Sequence, residues 1–167
     1  MTELELKARV DDRAALVQRL AGFARRGRHV IRDDEYWGRS ADDRHKIRIR
    51  RERFLASDGS SEKTDILVTY KRKSRIRGAD GVEAEANDEK ECLVSDAAAL
   101  EAFLSDTGYS VQLKKHKDVE DWLAELPAET AGNGERLQAT LEVCAVEKLG
   151  DFLEIEILAP TADEAVL

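Results

Sequence analysis

Glu3-Leu4-Glu5-Leu6-Lys7-Ala8 alternates without a break. Side chains of a strand point to opposite faces with a period of two, so Leu4, Leu6 and Ala8 share one face and Glu3, Glu5 and Lys7 the other. Far along the chain, Phe152 to Leu158 repeats the device, with Leu153, Ile155 and Ile157 turned toward a core and Glu154 and Glu156 away from it. Same-face neighbours put two carboxylates about 7 Å apart, twice the rise per residue. Both stretches read as strands that carry a pair of glutamates on one face.

The segments between them extend the pattern. Tyr36-Trp37, His45 to Phe54, Asp65 to Lys73, the residues around Glu89 to Val94, and Leu137 to Val146 read as strands, separated by polar and glycine-rich turns. Asp12 to Arg26 reads as an amphipathic helix with Leu16, Leu20 and Phe23 on one side, an Asp12 cap and Gly27 as its stop. Ser95 to Thr107 reads as a second helix, with Leu100, Phe103 and Leu104 inward and Gly108 at its end. Val111 to Lys117 looks extended, whereas Val119, Trp122, Leu123 and Leu126 fit a strand or two helical turns equally well. Thr161 to Glu164 resembles a capping box, with at most a stub of helix after it. The fold class expected is α+β, mainly β, with seven or eight antiparallel strands and two helices.

The 167 residues suit a single domain, and 42% hydrophobic with 37% charged residues excludes a disordered tail. A balance of 27 basic to 35 acidic residues argues against a general polyanion binder, so no nucleic-acid partner is expected. The charge is segregated, however. Arg44 to Arg77 carries 12 basic residues against 4 acidic, and Asp118 to Leu167 carries 2 against 13. No secretory pattern opens the chain and no run approaches the roughly 20 apolar residues of a bilayer span, so a cytoplasmic protein without a membrane partner is expected. Cys92 and Cys144 lack C-x-x-C spacing and read as reduced packing thiols in or near the sheet. His29, His45 and His116 are scattered and read as surface or packing residues.

A sheet with one face charged on nearly every strand cannot bury that face in an apolar core. Any single strand fits a solvated outer face with cross-strand ion pairs. Five or six strands doing so together favour closure into a barrel with a wet, charged interior. Facing pairs of glutamates offer hard oxygen donors of the kind that Mg²⁺ and Mn²⁺ take. Arg48, Arg50, Lys71, Lys73, Arg75, Lys115 and Lys117 alternate on strands, and guanidinium forks and ammonium groups match phosphate oxygens. Carboxylate-held cations beside such a set suit a triphosphate. Trp37 fits packing at a strand end or stacking on a substrate ring.

The motifs carry a resemblance. Glu3-Leu-Glu5-Leu-Lys7 is similar to the E-x-E-x-K signature of the CYTH superfamily, the triphosphate tunnel metalloenzymes, which includes class IV adenylyl cyclases and thiamine or inorganic triphosphatases. Asp34-Glu-Tyr36-Trp37 resembles its D-x-Y-aromatic strand, Ile47-Arg48-Ile49-Arg50 its R-x-R strand and Thr69-Tyr70-Lys71 its T-Y-K strand. Glu89-Lys-Glu91 resembles its middle E-x-E, and Leu149-Gly150-Asp151-Phe152-Leu153-Glu154-Ile155-Glu156 its L-G-x-F-x-E-x-E block. The matches run in family order from about Glu3 to Leu158. Asn87 stands where many members have Arg, Lys115-His116-Lys117 where some have K-x-R, and Cys144 where some have Asp.

The resemblance implies one CYTH domain over residues 1–167, a closed eight-stranded antiparallel barrel with flanking helices, and a tunnel that binds the triphosphate. It implies Mg²⁺ or Mn²⁺ held by Glu3, Glu5, Glu154 and Glu156, with Glu89, Glu91 and Glu142 on the same cavity. Phosphate contacts fall by the resemblance to Lys7, Arg48, Arg50, Lys71 and Lys115, to which the strand alternation adds Lys73, Arg75 and Lys117, and the residues nearest the chemistry are Lys7 and Glu5. The activity expected is class IV adenylyl cyclase, ATP to cyclic AMP and pyrophosphate. The rivals are a triphosphatase acting on inorganic, thiamine or nucleoside triphosphate, and a non-catalytic polyphosphate-binding module. Whether the chain forms a homodimer stays open.

Overall fold

The computed structural model describes residues 2–43, 46–77, 83–126 and 138–159, without the side chains of residues 2, 3, 71–77, 83–89, 158 and 159. Eight strands and two helices follow in the order β1 (Thr2–Val10), α1 (Arg13–Leu20), β2 (Arg25–Gly38), β3 (Ile47–Leu55), β4 (Ser61–Arg77), β5 (Glu83–Val94), α2 (Ala98–Asp106), β6 (Ser110–Glu125), β7 (Gln138–Val146) and β8 (Gly150–Ala159). The strand order is β1-β5-β4-β3-β2-β6-β7-β8. β1 is antiparallel to β5 on one side and to β8 on the other, so the first and last strands are partners. The α+β, mainly β class and the two helices agree with the alternation of the sequence. Contacts group the chain into two compact units, one of Met1–Arg28, Lys73–Asp88 and Val119–Leu167, the other of His29–Arg72 and Glu89–Asp118.

In the first unit, β1, β8 and β7 lie side by side with Leu6 opposite Ile155 and Ile155 opposite Leu141. Cross-strand partners share a face, so the apolar residues of these strands line up on one side. There Leu141, Val143, Leu153 and Ile155 pack with Leu20, Leu16 and Val17 of α1 and with Trp122 and Ala124 of β6. Asp12 caps α1 by accepting from the Ala15 backbone N–H at 2.9 Å. Arg13 then ties the helix to the sheet, reaching Asp151 at 3.2 Å and Glu120 at 3.1 Å. The β7–β8 turn passes through Lys148 at φ 65° and Gly150 at φ 94°. Glycine takes that left-handed conformation without steric cost, which is the physical reason for it in the Leu149-Gly150 motif.

In the second unit, β3 pairs with β2 and β4, Ile49 opposite Glu35 and Val68. One face of this sheet packs Ile49, Ile47, Trp37 and Ile66 against Ala97, Leu100 and Leu104 of α2 and against Tyr109. α2 ends where Gly108 turns left-handed at φ 86° and the Tyr109 N–H bonds the Leu104 carbonyl at 2.8 Å, a closure that satisfies a helix-end carbonyl.

The structure corrects several expectations. The first helix stops at Leu20, and Arg25 already belongs to β2, so Gly27 is a strand residue and not a helix stop. Its missing side chain has a use there, since a Cβ would lie 3.2 Å from that of Asp121. The backbone N–H groups of Phe23 and Ala24 both fold back on the Leu20 carbonyl, which turns Phe23 outward at 67% exposure. On α2, Phe103 is likewise 61% exposed while Leu104 is buried. β6 runs unbroken from Ser110 to Glu125, so the segment around Trp122, open between strand and helix in the sequence, is strand. Cys144 is buried as expected, but Cys92 is exposed. His45, the Gly78-Ala79-Asp80-Gly81 turn and the Thr161 capping box lie outside the described residues. Among the described residues no helix is long and apolar enough to cross a membrane.

Truncating a fully packed core leucine costs about 2–5 kcal/mol, and a surface change about 0.5 kcal/mol or less. Leu20→Ala is therefore expected to lower unfolding stability severalfold more than Phe23→Ala in chemical denaturation. Equal losses would contradict the placement of the helix end.

Candidate functional site

The charged face of the first unit follows from strand register. Lys7 is opposite Glu154 and Glu154 opposite Glu142, forming one row across β1, β8 and β7. Glu5 opposite Glu156, and Glu156 opposite Thr140, form the next. Glu142 and Glu154 are 3% and 4% exposed, and Cys144, two residues from Glu142 on the same face, is fully buried. A carboxylate oxygen of each glutamate and the Cys144 sulfur all lie within 4.8 Å of one another. The Lys7 ammonium donates to Glu5 at 3.0 Å and lies 3.1 Å from Glu154. Burial works against its charge, but Glu154 and Glu5 outweigh that and hold Lys7 above the ordinary lysine range. Lys7 is thus a protonated cation throughout the physiological range.

This donor set fits a divalent cation. Two buried carboxylates supply hard oxygens, and the adjacent sulfur is a third group able to ligate. Glu3 pairs through its backbone with Asn87 and Leu158, but its side chain lies outside those described, as do the side chains of Lys71, Lys73, Arg75 and Glu89.

In the second unit, register places Asp34 opposite Arg50, Arg32 opposite Glu52 and Arg48 opposite Thr69. Arg50 grips Asp34 with two bonds, Nε to Oδ1 at 2.6 Å and a terminal nitrogen to Oδ2 at 2.9 Å. Arg32 donates to Glu52 at 2.6 Å. Arg48 reaches the Thr69 hydroxyl at 3.1 Å, and that hydroxyl donates to Glu91 at 2.7 Å. Lys115 stands over the Tyr36 ring, 5.1 Å from its centre, and Lys117 is buried. Asp34 is buried too, which alone would raise its carboxyl. The Arg50 bonds and the charges of Arg50, Arg48 and Lys117 reverse this and hold it below the usual range.

Of the residues expected to carry function, the structure brings Glu5, Lys7, Glu142 and Glu154 together in one unit, and Arg48, Arg50 and Glu91 in the other. Sequence reading assigned no role to Arg32, Glu52 or Thr69, and none beyond packing to Cys144. Their signal was the i, i+2 spacing on β2, β3, β4 and β7, which acquires meaning only once the partner strand is known. Trp37, read as packing or stacking, packs against the buried cluster of Ile49, Ala97 and Leu104.

No family model and no curated protein matches the sequence. Solved structures do. The PH1819 protein of Pyrococcus horikoshii is similar at 25% identity with a TM-score of 0.69, covering 98% of this chain and 81% of its own. A provisional adenylate cyclase from Vibrio parahaemolyticus aligns at 14% identity and TM-score 0.57, over 97% of this chain and 79% of that one. The HpAC1 protein of Hippeastrum, an adenylyl cyclase candidate with dominant triphosphatase activity, aligns at 14% and 0.57, over 95% of this chain and 80% of that one. The chain shares its fold with these three structures. The six ordered motifs of the CYTH resemblance fall on β1, β2, β3, β4, β5 and β8 of that fold.

The Asp34–Arg50 pair yields a pH prediction. Because the Asp34 value is lower folded than unfolded, its stabilisation is present above about pH 4 and is lost as pH falls through the folded value. Asp34→Asn is expected to cost about 3–5 kcal/mol at neutral pH, the scale for breaking a buried pair. The gap to the unmodified chain should narrow in acid denaturation series below about pH 4, and a constant gap would contradict the assignment.

Proposed function

We propose that this chain is a divalent-cation-dependent enzyme that binds a triphosphate and cleaves one of its phosphoanhydride bonds. The observation that carries the reading is the buried Glu142–Glu154 pair beside the protonated Lys7, a set that gathers cation ligands and a phosphate-seeking ammonium on one face. The whole chain, residues 1–167, is read as one CYTH domain. The closed barrel and its tunnel belong to this proposal, supported by the pairing of β1 with β8.

In this reading Glu5, Glu142, Glu154 and Glu156, with Glu3, Glu89 and Glu91, hold Mg²⁺ or Mn²⁺. When bound, such ions neutralise phosphate oxygens and favour ionisation of the attacking hydroxyl or water. Arg48 and Arg50, with Lys71, Lys73, Arg75, Lys115 and Lys117, bind the remaining phosphate oxygens. Asp34 and Thr69 fix the directions of the two guanidinium groups, so their donors are aimed before substrate arrives. Lys7 carries a proton and offers it as a hydrogen bond to a phosphate oxygen near the cation.

Two chemistries use this machinery. In the cyclase reading the ribose 3′-hydroxyl of ATP attacks the α-phosphorus, pyrophosphate leaves and cyclic AMP forms. In the triphosphatase reading water attacks the terminal phosphorus of an inorganic, thiamine or nucleoside triphosphate and orthophosphate forms. The second is favoured by the packing of the half-buried Trp37 against the Ile49, Ala97 and Leu104 cluster, on the face of β2 opposite Asp34, which turns that ring away from the charged side. The triphosphatase activity named for the Hippeastrum protein points the same way.

Incubation with ATP, inorganic triphosphate and thiamine triphosphate under Mg²⁺ or Mn²⁺, with products resolved, separates the readings. Orthophosphate is the expected product, and cyclic AMP with pyrophosphate would establish the cyclase. Glu154→Gln should abolish cation-dependent turnover while leaving circular dichroism unchanged. Arg48→Ala should weaken triphosphate binding more than monophosphate binding. Turnover that survives removal of all divalent cations would overturn the proposal.

A further inference from the structure

We infer that Tyr36 is a positioning residue for Lys115: its ring face holds the ammonium in place and leaves the charge and the N–H donors for substrate. This rests on the reading above that Lys115 binds a phosphate oxygen of a triphosphate. Register supplies the placement. Tyr36 is two residues from Asp34 on the same face of β2, and it is the partner of Arg48 on β3. β6, which carries Lys115, lies on the other side of β2 in the strand order. The Lys115 ammonium stands over the half-buried Tyr36 ring, 5.1 Å from its centre. A cation within about 6 Å of a ring centre is drawn to the negative face of the π system.

The kind of partner sets Lys115 apart from its neighbours. Arg50 is gripped by Asp34, Arg32 is bonded to Glu52, and Lys114, on the opposite face of β6, pairs with Glu35 at 2.7 Å. A carboxylate in such a pair offsets the charge and occupies donors. Among the described residues Lys115 has neither a carboxylate partner nor a hydrogen bond, and the ring holds the ammonium instead. An aromatic face attracts a cation without neutralising it, so the three N–H donors and the positive charge stay available to a polyanion. The ring also limits the wandering of a long, flexible side chain, which reduces the ordering cost of binding. The Tyr36 hydroxyl makes no hydrogen bond among the described residues, so the ring is the part that acts.

The test uses the full chain in two measurements, one of them independent of activity. In the first, lysines are isotopically methylated and followed by NMR, with the Lys115 signal identified by its loss in Lys115→Arg. That signal is expected upfield of the other lysines, shielded by the ring, in the unmodified chain and in Tyr36→Phe, and unshielded in Tyr36→Leu. In the second, turnover of inorganic triphosphate under Mg²⁺ should show KM raised about 2- to 30-fold in Tyr36→Leu with kcat little changed, and restored in Tyr36→Phe. In a Lys115→Met background Tyr36→Leu should add nothing, because the ring acts through the ammonium. An unshielded Lys115 in the unmodified chain, or a full further loss from Tyr36→Leu in the Lys115→Met background, overturns the inference. An unchanged KM in Tyr36→Leu also overturns it, yet leaves the triphosphate reading standing. A shielded Lys115 in a chain that turns over no triphosphate sustains the hold of the ring on the ammonium and removes the enzymatic reading instead.

Discussion

The two-residue period of the strand governs this structure. Where apolar and charged residues alternate, an apolar face can be packed only if the opposite face finds ionic and hydrogen-bonding partners, because an uncompensated buried charge costs several kcal/mol. Each unit meets that condition in its own way. In one, Leu141, Val143, Leu153 and Ile155 face α1 while Glu142, Glu154 and Lys7 gather on the reverse. In the other, Ile47, Ile49 and Ile66 face α2 while Arg50 with Asp34 and Arg32 with Glu52 bond across strands.

These buried pairs are better understood as devices for direction than as sources of stability. The desolvation of two charges roughly cancels their attraction, so a buried ion pair adds little net stability even though breaking it is costly. What the bidentate Asp34 grip does is fix the plane of the Arg50 guanidinium. The Thr69 hydroxyl acts in the same manner on Arg48, and it ties Glu91 to the same arginine. Cationic groups held in set orientations suit an anion with several oxygens, whereas mobile surface lysines would answer only to net charge.

Much of this was legible in the sequence, for a physical reason. β1 and β8 announce themselves because strict alternation has one geometric meaning, and the Leu149-Gly150 step marks the turn because few residues other than glycine accept a positive φ. The C-terminal end of α1 was not legible. Phe23 continues the helical spacing of Leu16 and Leu20, yet pairing of Arg25 onward in β2 wins over local periodicity and leaves the ring in solvent. Arg32 and Glu52 escaped notice, and Thr69 was seen only as part of a motif, because their meaning lies in the cross-strand partner, 20 or more positions away. Cys144 was dismissed because a single cysteine says nothing until the strand beside it is known to present Glu154.

The β7–β8 hairpin carries an evolutionary consequence. Val146 pairs with Gly150, so only Glu147, Lys148 and Leu149 separate the strands. Adding or deleting one amino acid in that reversal would slip the pairing by one and deliver Leu153 and Ile155 to the polar side in place of Glu154. Because β8 also pairs with β1, the misalignment would spread to both neighbours at once. Descendants of this gene can therefore exchange letters at Glu147 and Leu149 more freely than at the left-handed Lys148, but cannot change the count of the bend.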